Sequence, residues 1–225
     1  MSGYARLYKR MDYQFSDESL LVKAMTHRSV GKHNNERLEY LGDSILNFVI
    51  AEKLFNKFTD AREGDLSRLR SWLVNGDRLT EVANSLSLGD YLELGPGELK
   101  TGGHRRASIL EDAMEALIGA VYLDSDFEVC RQFILNVYTE KLGSIPTIDD
   151  LKDPKTRLQE YLQARQSPLP DYSVEDISGE QHNRMFKVSC TVKGLNKPTY
   201  GIGGSRRKAE QESAKKALEE LHNVK

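Results

Sequence analysis

The hydrophobic positions divide the chain into two regions of different period. Up to about residue 145, apolar side chains recur every three to four residues, the spacing of one helical face. That spacing predicts helices over 19–26, 36–58, 64–74, 78–86, 108–123 and 127–142, with no alternating run to mark a strand. Leu94-Gly95-Pro96-Gly97 and the stretch 100–106 are rich in breakers and predict a mobile loop between two helices. From Pro154 the pattern changes. Leu158 and Leu162 stand one helical turn apart in a short helix over 155–165. Phe186, Val188, Cys190 and Val192 then alternate with Lys187, Ser189 and Thr191, the period of a half-buried strand. Strands are predicted over 172–177, 185–192 and 200–203, with a turn over 179–183 between the first two. A closing helix over 205–221 would bury Ala209, Ala214, Ala217, Leu218 and Leu221. The fold class expected is an all-α domain followed by a small α+β domain of order αβββα.

Between the two regions, residues 143–153 hold Pro146, Asp149 and Asp150 and read as a connection. The organisation expected is a helical domain over 1–145, a linker over 146–153 and a second domain over 154–225. A tether of about ten residues reaches at most roughly 35 Å.

Charge separates the regions further. The whole chain carries a net −2, which argues against a polyanion as partner. Its parts do not. Residues 1–154 hold 19 Lys and Arg against 25 Asp and Glu, whereas residues 155–225 hold 13 against 9. An acidic body joined to a basic tail suits a division between chemistry and the holding of a polyanion. The first fifteen residues are interrupted by Arg6, Lys9, Arg10 and Asp12, so neither a signal peptide nor a membrane span is expected. Cys130 and Cys190 lack the spacing of a zinc site or a disulfide framework, which fits a reducing cytoplasm.

The candidate chemistry lies on two helices. In Asn34-Asn35-Glu36-Arg37-Leu38-Glu39-Tyr40-Leu41-Gly42-Asp43-Ser44, Leu38, Leu41, Ile45 and Val49 share one face. Glu36, Glu39 and Asp43 fall within about 60° on the other side, where like charges weaken an isolated helix. A solvated acidic face would be the ordinary explanation. A second acidic pair, Asp112 and Glu115, changes the balance. Ser108-Ile109-Leu110-Glu111 has the pattern of a capping box, which would place Asp112 and Glu115 in the first turns of that helix, where stabilisation of the helix dipole competes as an explanation. Ala116 and Gly119 beside them would admit a second helix closely. If Glu39, Asp43, Asp112 and Glu115 converge, their repulsion calls for a cation, and an all-oxygen donor set favours Mg²⁺ or Mn²⁺ over zinc. In the tail, Gly203-Gly204-Ser205-Arg206-Arg207-Lys208 sets three cations at the already positive start of a helix, which suits a phosphate.

These motifs resemble the ribonuclease III family, in its short bacterial form. The run from Asn35 to Ser44 is similar to the family's hallmark, and Glu63-Gly64-Asp65, Leu94-Gly95-Pro96-Gly97-Glu98 and Asp112-Ala113-Met114-Glu115-Ala116-Leu117 follow in the family's order. The tail resembles a double-stranded RNA-binding domain, and the likeness runs from about Leu7 to Leu221. The resemblance implies a homodimeric, Mg²⁺-dependent endoribonuclease, with Mn²⁺ able to substitute, that hydrolyses double-stranded RNA to 5′-phosphate and 3′-hydroxyl ends with a short 3′ overhang. It implies a cytoplasmic role in processing rRNA precursors and mRNA, with no membrane or small-molecule substrate.

It also implies roles for individual residues. Glu39, Asp43, Asp112 and Glu115 would bind metal, with Asp43 and Glu115 the most critical, and Glu36 and Glu63 would line the same valley. Tyr40 corresponds to an aromatic position in the dimer contact; an ordinary exposed tyrosine is the competing reading. Thr156, Gln159 and Glu160 would face one minor groove of the RNA and the His182 turn the next. Ser205, Arg206, Arg207 and Lys208 would serve the phosphates between them. Two other classes stay open from sequence: an RNA-binding regulator that does not cut, and an acidic helical scaffold tethered to RNA by its tail.

Overall fold

The computed structural model describes residues 3–179 and 184–223, which form two compact units, Met1–Pro146 and Thr147–Lys225. The first unit is built from α1 (Ala5–Met11), α2 (Glu18–Met25), α3 (Glu36–Lys57), α4 (Glu63–Leu73), α5 (Gly76–Leu86), α6 (Pro96–Lys100), α7 (Ala107–Asp124), α8 (Phe127–Val137) and α9 (Thr139–Gly143).

Helix α7 is its centre. From Ile109 to Val121 every residue is buried except Glu111, Asp112 and Glu115, so a nearly all-round apolar helix is surrounded by α2, α3, α5 and α8. The most extensive packing in this unit joins α3 to α7. Leu38, Ile45, Leu46, Val49, Ile50 and Leu54 of α3 are buried, while Leu41 is only half-buried at the edge of that face.

The structure departs from several expectations. The Ser108 capping box does not form: α7 begins at Ala107 after Arg106, with no side-chain cap. Asp112 and Glu115 therefore lie in the second and third turns, beyond the reach of the N-terminal dipole, which acts mainly on the first turn. The stretch from Leu94 to Arg106 is not an unstructured loop. Pro96 starts α6, Gly102 ends it at φ 75, a 3₁₀ turn follows over Gly103–Arg105, and Arg106 bonds to Glu98 at 2.7 Å. The residues read as breakers are here helix start and stop signals. The predicted helix over 127–142 is interrupted at Tyr138, which ends α8 and leads into α9. Helix α1 was not anticipated, because only Leu7 and Met11 mark its buried side.

The second unit contains α10 (Ile148–Leu151), α11 (Pro154–Gln163), β1 (Asp171–Ser178), β2 (Met185–Thr191), β3 (Thr199–Gly203) and α12 (Arg206–Asn223). The strands form an antiparallel sheet in the order β1-β2-β3, with Val188 opposite Val174 and Gly201. Leu158, Leu162, Cys190, Val192, Ala214, Ala217 and Leu218 form the core between the helices and the sheet. Part of the expected linker is helical, since Thr147 and Asp150 close a capping box on α10.

Candidate active site

The crossing of α3 and α7 depends on two glycines. A methyl group added at Gly42 would fall on the carbonyl oxygen of Glu115, and one at Gly119 on that of Leu38. The backbones thus approach more closely than side chains would allow, which carries the acidic face of α3 up to the polar positions of α7.

The electrostatics record this convergence. The Glu115 carboxyl is pushed up to about 8 by burial first, then by the charges of Asp43, Glu111, Glu39 and Asp112. Glu39 is raised by burial and by Asp112 and Glu36, and Asp112 is raised by burial. Asp43 is exposed and accepts a hydrogen bond from Asn47 Nδ2 at 2.7 Å. Glu36 is exposed in the first turn of α3 and stands 4.0 Å from the Arg28 guanidinium. The structure brings these five sequence-predicted carboxylates into one field. Glu63 is not among them: it begins α4, accepts a hydrogen bond from Ser67 at 2.9 Å, and lines a groove with Phe48 and Phe55.

Three further residues belong to the site and were missed. Glu111, adjacent to Asp112, is raised by burial and packs over Gly76, where an added Cβ would lie 2.5 Å from its Oε2. Arg28 and His27 supply the positive charge that offsets the burial of Asp112. His27 is buried, and its Nδ1 meets the Ser29 backbone N–H at 3.2 Å and the Ser29 hydroxyl at 2.8 Å. Neither cation has a periodic signal, because each reaches the cluster from the loop after α2. Glu111 was read as part of a capping box and as a charge stabilising the helix dipole.

The donor set fits a hard divalent cation. It is wholly carboxylate, and an oxygen-binding cation would offset the burial and the neighbouring charges that raise Glu115. Among the described residues no three His, Cys, Asp or Glu side chains already close into a cage.

Beside the acidic face, Tyr40 is 78% exposed, with Phe48 and Phe55 also exposed on the same side of α3. The Phe48 ring lies 5.7 Å from that of Phe127, and Ala51, Leu54, Ala61 and Leu66 continue the apolar groove.

Comparison with known proteins agrees with this layout. Residues 17–142 match the Ribonuclease-III-like family, and residues 154–221 match the double-stranded RNA binding motif. Ribonuclease 3 of Vibrio vulnificus is 57% identical over 222 residues, covering 99% of both chains. The chain belongs to the ribonuclease III family. Ribonuclease 3 of Pseudoalteromonas translucida is 58% identical over 217 residues, 96% of each chain. A crystal structure of the nuclease domain of ribonuclease III from Campylobacter jejuni is 43% identical, with a TM-score of 0.62, and covers 65% of this chain and 100% of its own. Ribonuclease III proteins are metal-dependent nucleases. No helix among the described residues is long and apolar enough to cross a membrane.

In this ribonuclease III chain the tail presents its polar residues unevenly. Ser205 caps α12, its Oγ accepting from Lys208 N at 3.2 Å. Arg206 donates to Glu210 at 2.8 Å, and Glu210, 9% exposed, also accepts from Lys155 at 2.6 Å. Arg207 and Lys208 are exposed beside Pro154, Gln211 and Glu212, without an ion pair among the described residues. Thr156 is half-buried, and its hydroxyl donates to Asp153 at 2.9 Å. Gln159 is exposed, and Glu160 pairs with Lys152 at 2.6 Å. His182 lies outside the described residues.

Proposed function

We propose that this chain is a homodimeric endoribonuclease that hydrolyses double-stranded RNA, with Glu39, Asp43, Asp112 and Glu115 as its metal-binding set. Mg²⁺ is the cation proposed, with Mn²⁺ able to replace it. One observation carries the reading: the backbones cross so closely at Gly42 and Gly119 that carboxylates of two helices share one partly buried cluster, where burial first and then the neighbouring charges hold Glu115 up near 8. A divalent cation bound there supplies an activated water and charge stabilisation at the leaving oxygen.

The chain's own groups do the remainder. Glu115 has to release its proton to become an oxygen donor, and the neighbouring Asp43 sits on the exposed side, where substrate can approach. Glu36 is placed to keep Arg28 near the edge of the cluster. The proposed products carry 5′-phosphate and 3′-hydroxyl ends with a short 3′ overhang, and the proposed role is cytoplasmic processing of rRNA precursors and mRNA.

Duplex RNA is recognised mainly by shape, through 2′-hydroxyl and phosphate contacts. Thr156, Gln159 and Glu160 on α11 are the proposed minor-groove contacts, together with His182. Ser205, Arg206, Arg207 and Lys208 are the proposed phosphate contacts. For the dimer, the exposed face with Tyr40, Phe48 and Phe55 is the proposed contact with a second copy. The Campylobacter jejuni nuclease domain, 43% identical with a TM-score of 0.61 over 63% of this chain and 99% of its own, is described as having a region involved in dimer formation.

The test is incubation with a labelled RNA duplex, with and without Mg²⁺, followed by sizing of the products. Metal-dependent cuts in the duplex, absent on single-stranded RNA, are the result expected. Binding without cutting would replace this reading with an RNA-binding regulator.

A further inference from the structure

The tail unit buries a charge to which the proposed RNA contacts assign no role. Glu210, in the second turn of α12, is only 9% exposed. Its Oε2 accepts from Lys155 Nζ of α11 at 2.6 Å, and its Oε1 accepts from Arg206 Nε at 2.8 Å. Gln211 beside it makes a second connection. Its Oε1 accepts from the Lys155 backbone N–H at 3.2 Å, and its Nε2 donates to Asp153 Oδ1 at 2.9 Å. Asp153 in turn caps α11, accepting from the Thr156 backbone N–H at 3.0 Å and from its hydroxyl at 2.9 Å. The start of α11 is thus hydrogen-bonded to the start of α12 through Glu210 and Gln211.

These polar connections precede the apolar core on both helices. Leu158 and Leu162 of α11 share one buried cluster with Ala214, Ala217 and Leu218 of α12, so hydrophobic packing joins the helices only from there onward. The start of α12 is fixed separately on the sheet. A methyl group added at Gly201 of β3 would fall on the Ala209 carbonyl oxygen, and one at Gly203 would lie 2.8 Å from the Ala209 nitrogen. The start of α11 takes its place from Glu210 and Gln211, with Lys155 Nζ also 4.4 Å from the centre of the Tyr172 ring. Burial opposes the charge on Glu210, yet the hydrogen bonds from Lys155 and Arg206 hold its carboxyl below the ordinary range. A buried ion pair adds little stability over an apolar contact of the same size, and specifying a single geometry is its best-attested use. Here the two elements held in register carry Thr156, Gln159 and Glu160 on one side and Arg207 and Lys208 on the other.

We propose that Glu210 is a positioning residue for duplex RNA, which ties α11 to α12 and so sets the spacing between the minor-groove contacts and the phosphate contacts. This rests on the reading of those residues as RNA contacts. A duplex recognised by its shape demands a fixed spacing of this kind. Charge alone predicts the opposite effect: a carboxylate beside phosphate-binding cations weakens the capture of a polyanion, so neutralising it would strengthen binding. If Glu210 positions the helices, neutralising it weakens binding, because a loosened α11 has to be ordered on the RNA.

The test measures duplex RNA binding by the full-length protein in a chelator, which withholds the metal needed for cleavage, at a temperature where circular dichroism shows each variant folded. Glu210→Gln keeps the size of the side chain and should bind about 3- to 10-fold more weakly than the parent, the effect of ordering one or two freed side chains. Parental or tighter binding would overturn the proposal. A double-mutant cycle separates positioning from a general loss of stability. Gln159→Ala should weaken binding by the parent and should weaken binding by Glu210→Gln less, because α11 is then no longer held in place. Losses that simply add would overturn the role of Glu210. Parental binding by Gln159→Ala itself would instead remove α11 as an RNA contact, and the proposal with it. Should Glu210→Gln fail to fold, Lys155→Met takes its place: it leaves Glu210 paired with Arg206 and removes only the bond to α11. The same weaker binding and the same reduced effect of Gln159→Ala are expected. Additive losses would mark Lys155 as a direct RNA contact and overturn the proposal.

Discussion

Gly42 on α3 lies so close to Glu115 on α7 that the Glu115 carbonyl oxygen occupies the space a side chain would need. Because the atom in the way is backbone, it cannot swing aside, and any larger residue must separate the two helices. Gly42→Ala should therefore lower stability by about 1–3 kcal/mol, the usual range for overpacking, and should abolish cleavage by moving Asp43 away from Glu115. Gly97→Ala, where nothing lies within 4 Å, is the control and should leave both properties intact. Thermal melts and duplex cleavage of the two variants make the comparison; a fully active Gly42→Ala would disprove the role of the close crossing.

Chemistry and RNA holding should separate by mutation. Asp43→Ala and Glu115→Ala should each lose cleavage while binding duplex within a few-fold of the parent, because the basic surface lies in the other unit. Turnover and binding assays on the same preparations decide this. Near-normal cutting by either variant would remove that residue from the proposed site.

The repulsion at Glu115 should also be visible in stability. Its carboxyl titrates near 8 in the folded protein, above the ordinary value of 4.5, because of burial and then the neighbouring carboxylates. A raised folded value means the stabilisation belongs to the protonated form: it is fully present below about 4.5 and is lost as pH rises through about 8. In the metal-free protein Glu115→Gln should match the parent in acid and become progressively more stable than it up to and beyond pH 8. Melting curves recorded in a chelator across this range test the sign, and parallel curves for the two proteins would contradict it.

The two units should be separable. A fragment ending at Pro146 should remain helical, because the buried core around α7 lies wholly within it. It should cut duplex RNA at low salt and lose activity as salt rises, since the tail's basic surface is absent and the remaining electrostatic capture is screened. Circular dichroism and a salt series of cleavage rates measure both parts. Activity in the fragment as salt-tolerant as that of the full chain would mean the tail is not needed to hold substrate.

The three cations at the start of α12 should not behave alike. Arg206 bonds to buried Glu210, so Arg206→Gln should lower the melting temperature of the tail. Arg207→Gln with Lys208→Gln should leave that temperature unchanged or slightly higher, since both charges sit at the positive end of the helix. The double change should flatten the slope of log affinity against log salt by roughly 1.4–1.8, about 0.7–0.9 per phosphate contact. Its effect should be similar for unrelated duplexes, because phosphate contacts carry no base information. An unchanged salt slope would mark Arg207 and Lys208 as solvated charges.

The sequence by itself determined the helices around the core and the αβββα order of the tail, because these follow from local periods of about 3.6 and 2, and it set Glu36, Glu39 and Asp43 on one side of their helix. Leu38, Ile45 and Val49 announce the buried side of α3, just as Val188 and Cys190 announce that of β2. Helix boundaries were less legible. Pro96 and Gly102 carry the same local signal whether they end structure or delimit a short helix, and tertiary packing decided which. Only the tertiary structure could place Arg28 and His27 beside Asp112, separate Glu63 from the other carboxylates, and bury the Tyr138 hydroxyl without a hydrogen-bond partner among the described residues. Those relations join residues distant in the chain, and their energies depend on burial and on distances set by the glycine crossing. A one-dimensional pattern records which side chain faces inward. It does not record which charge or unpaired oxygen it will meet there.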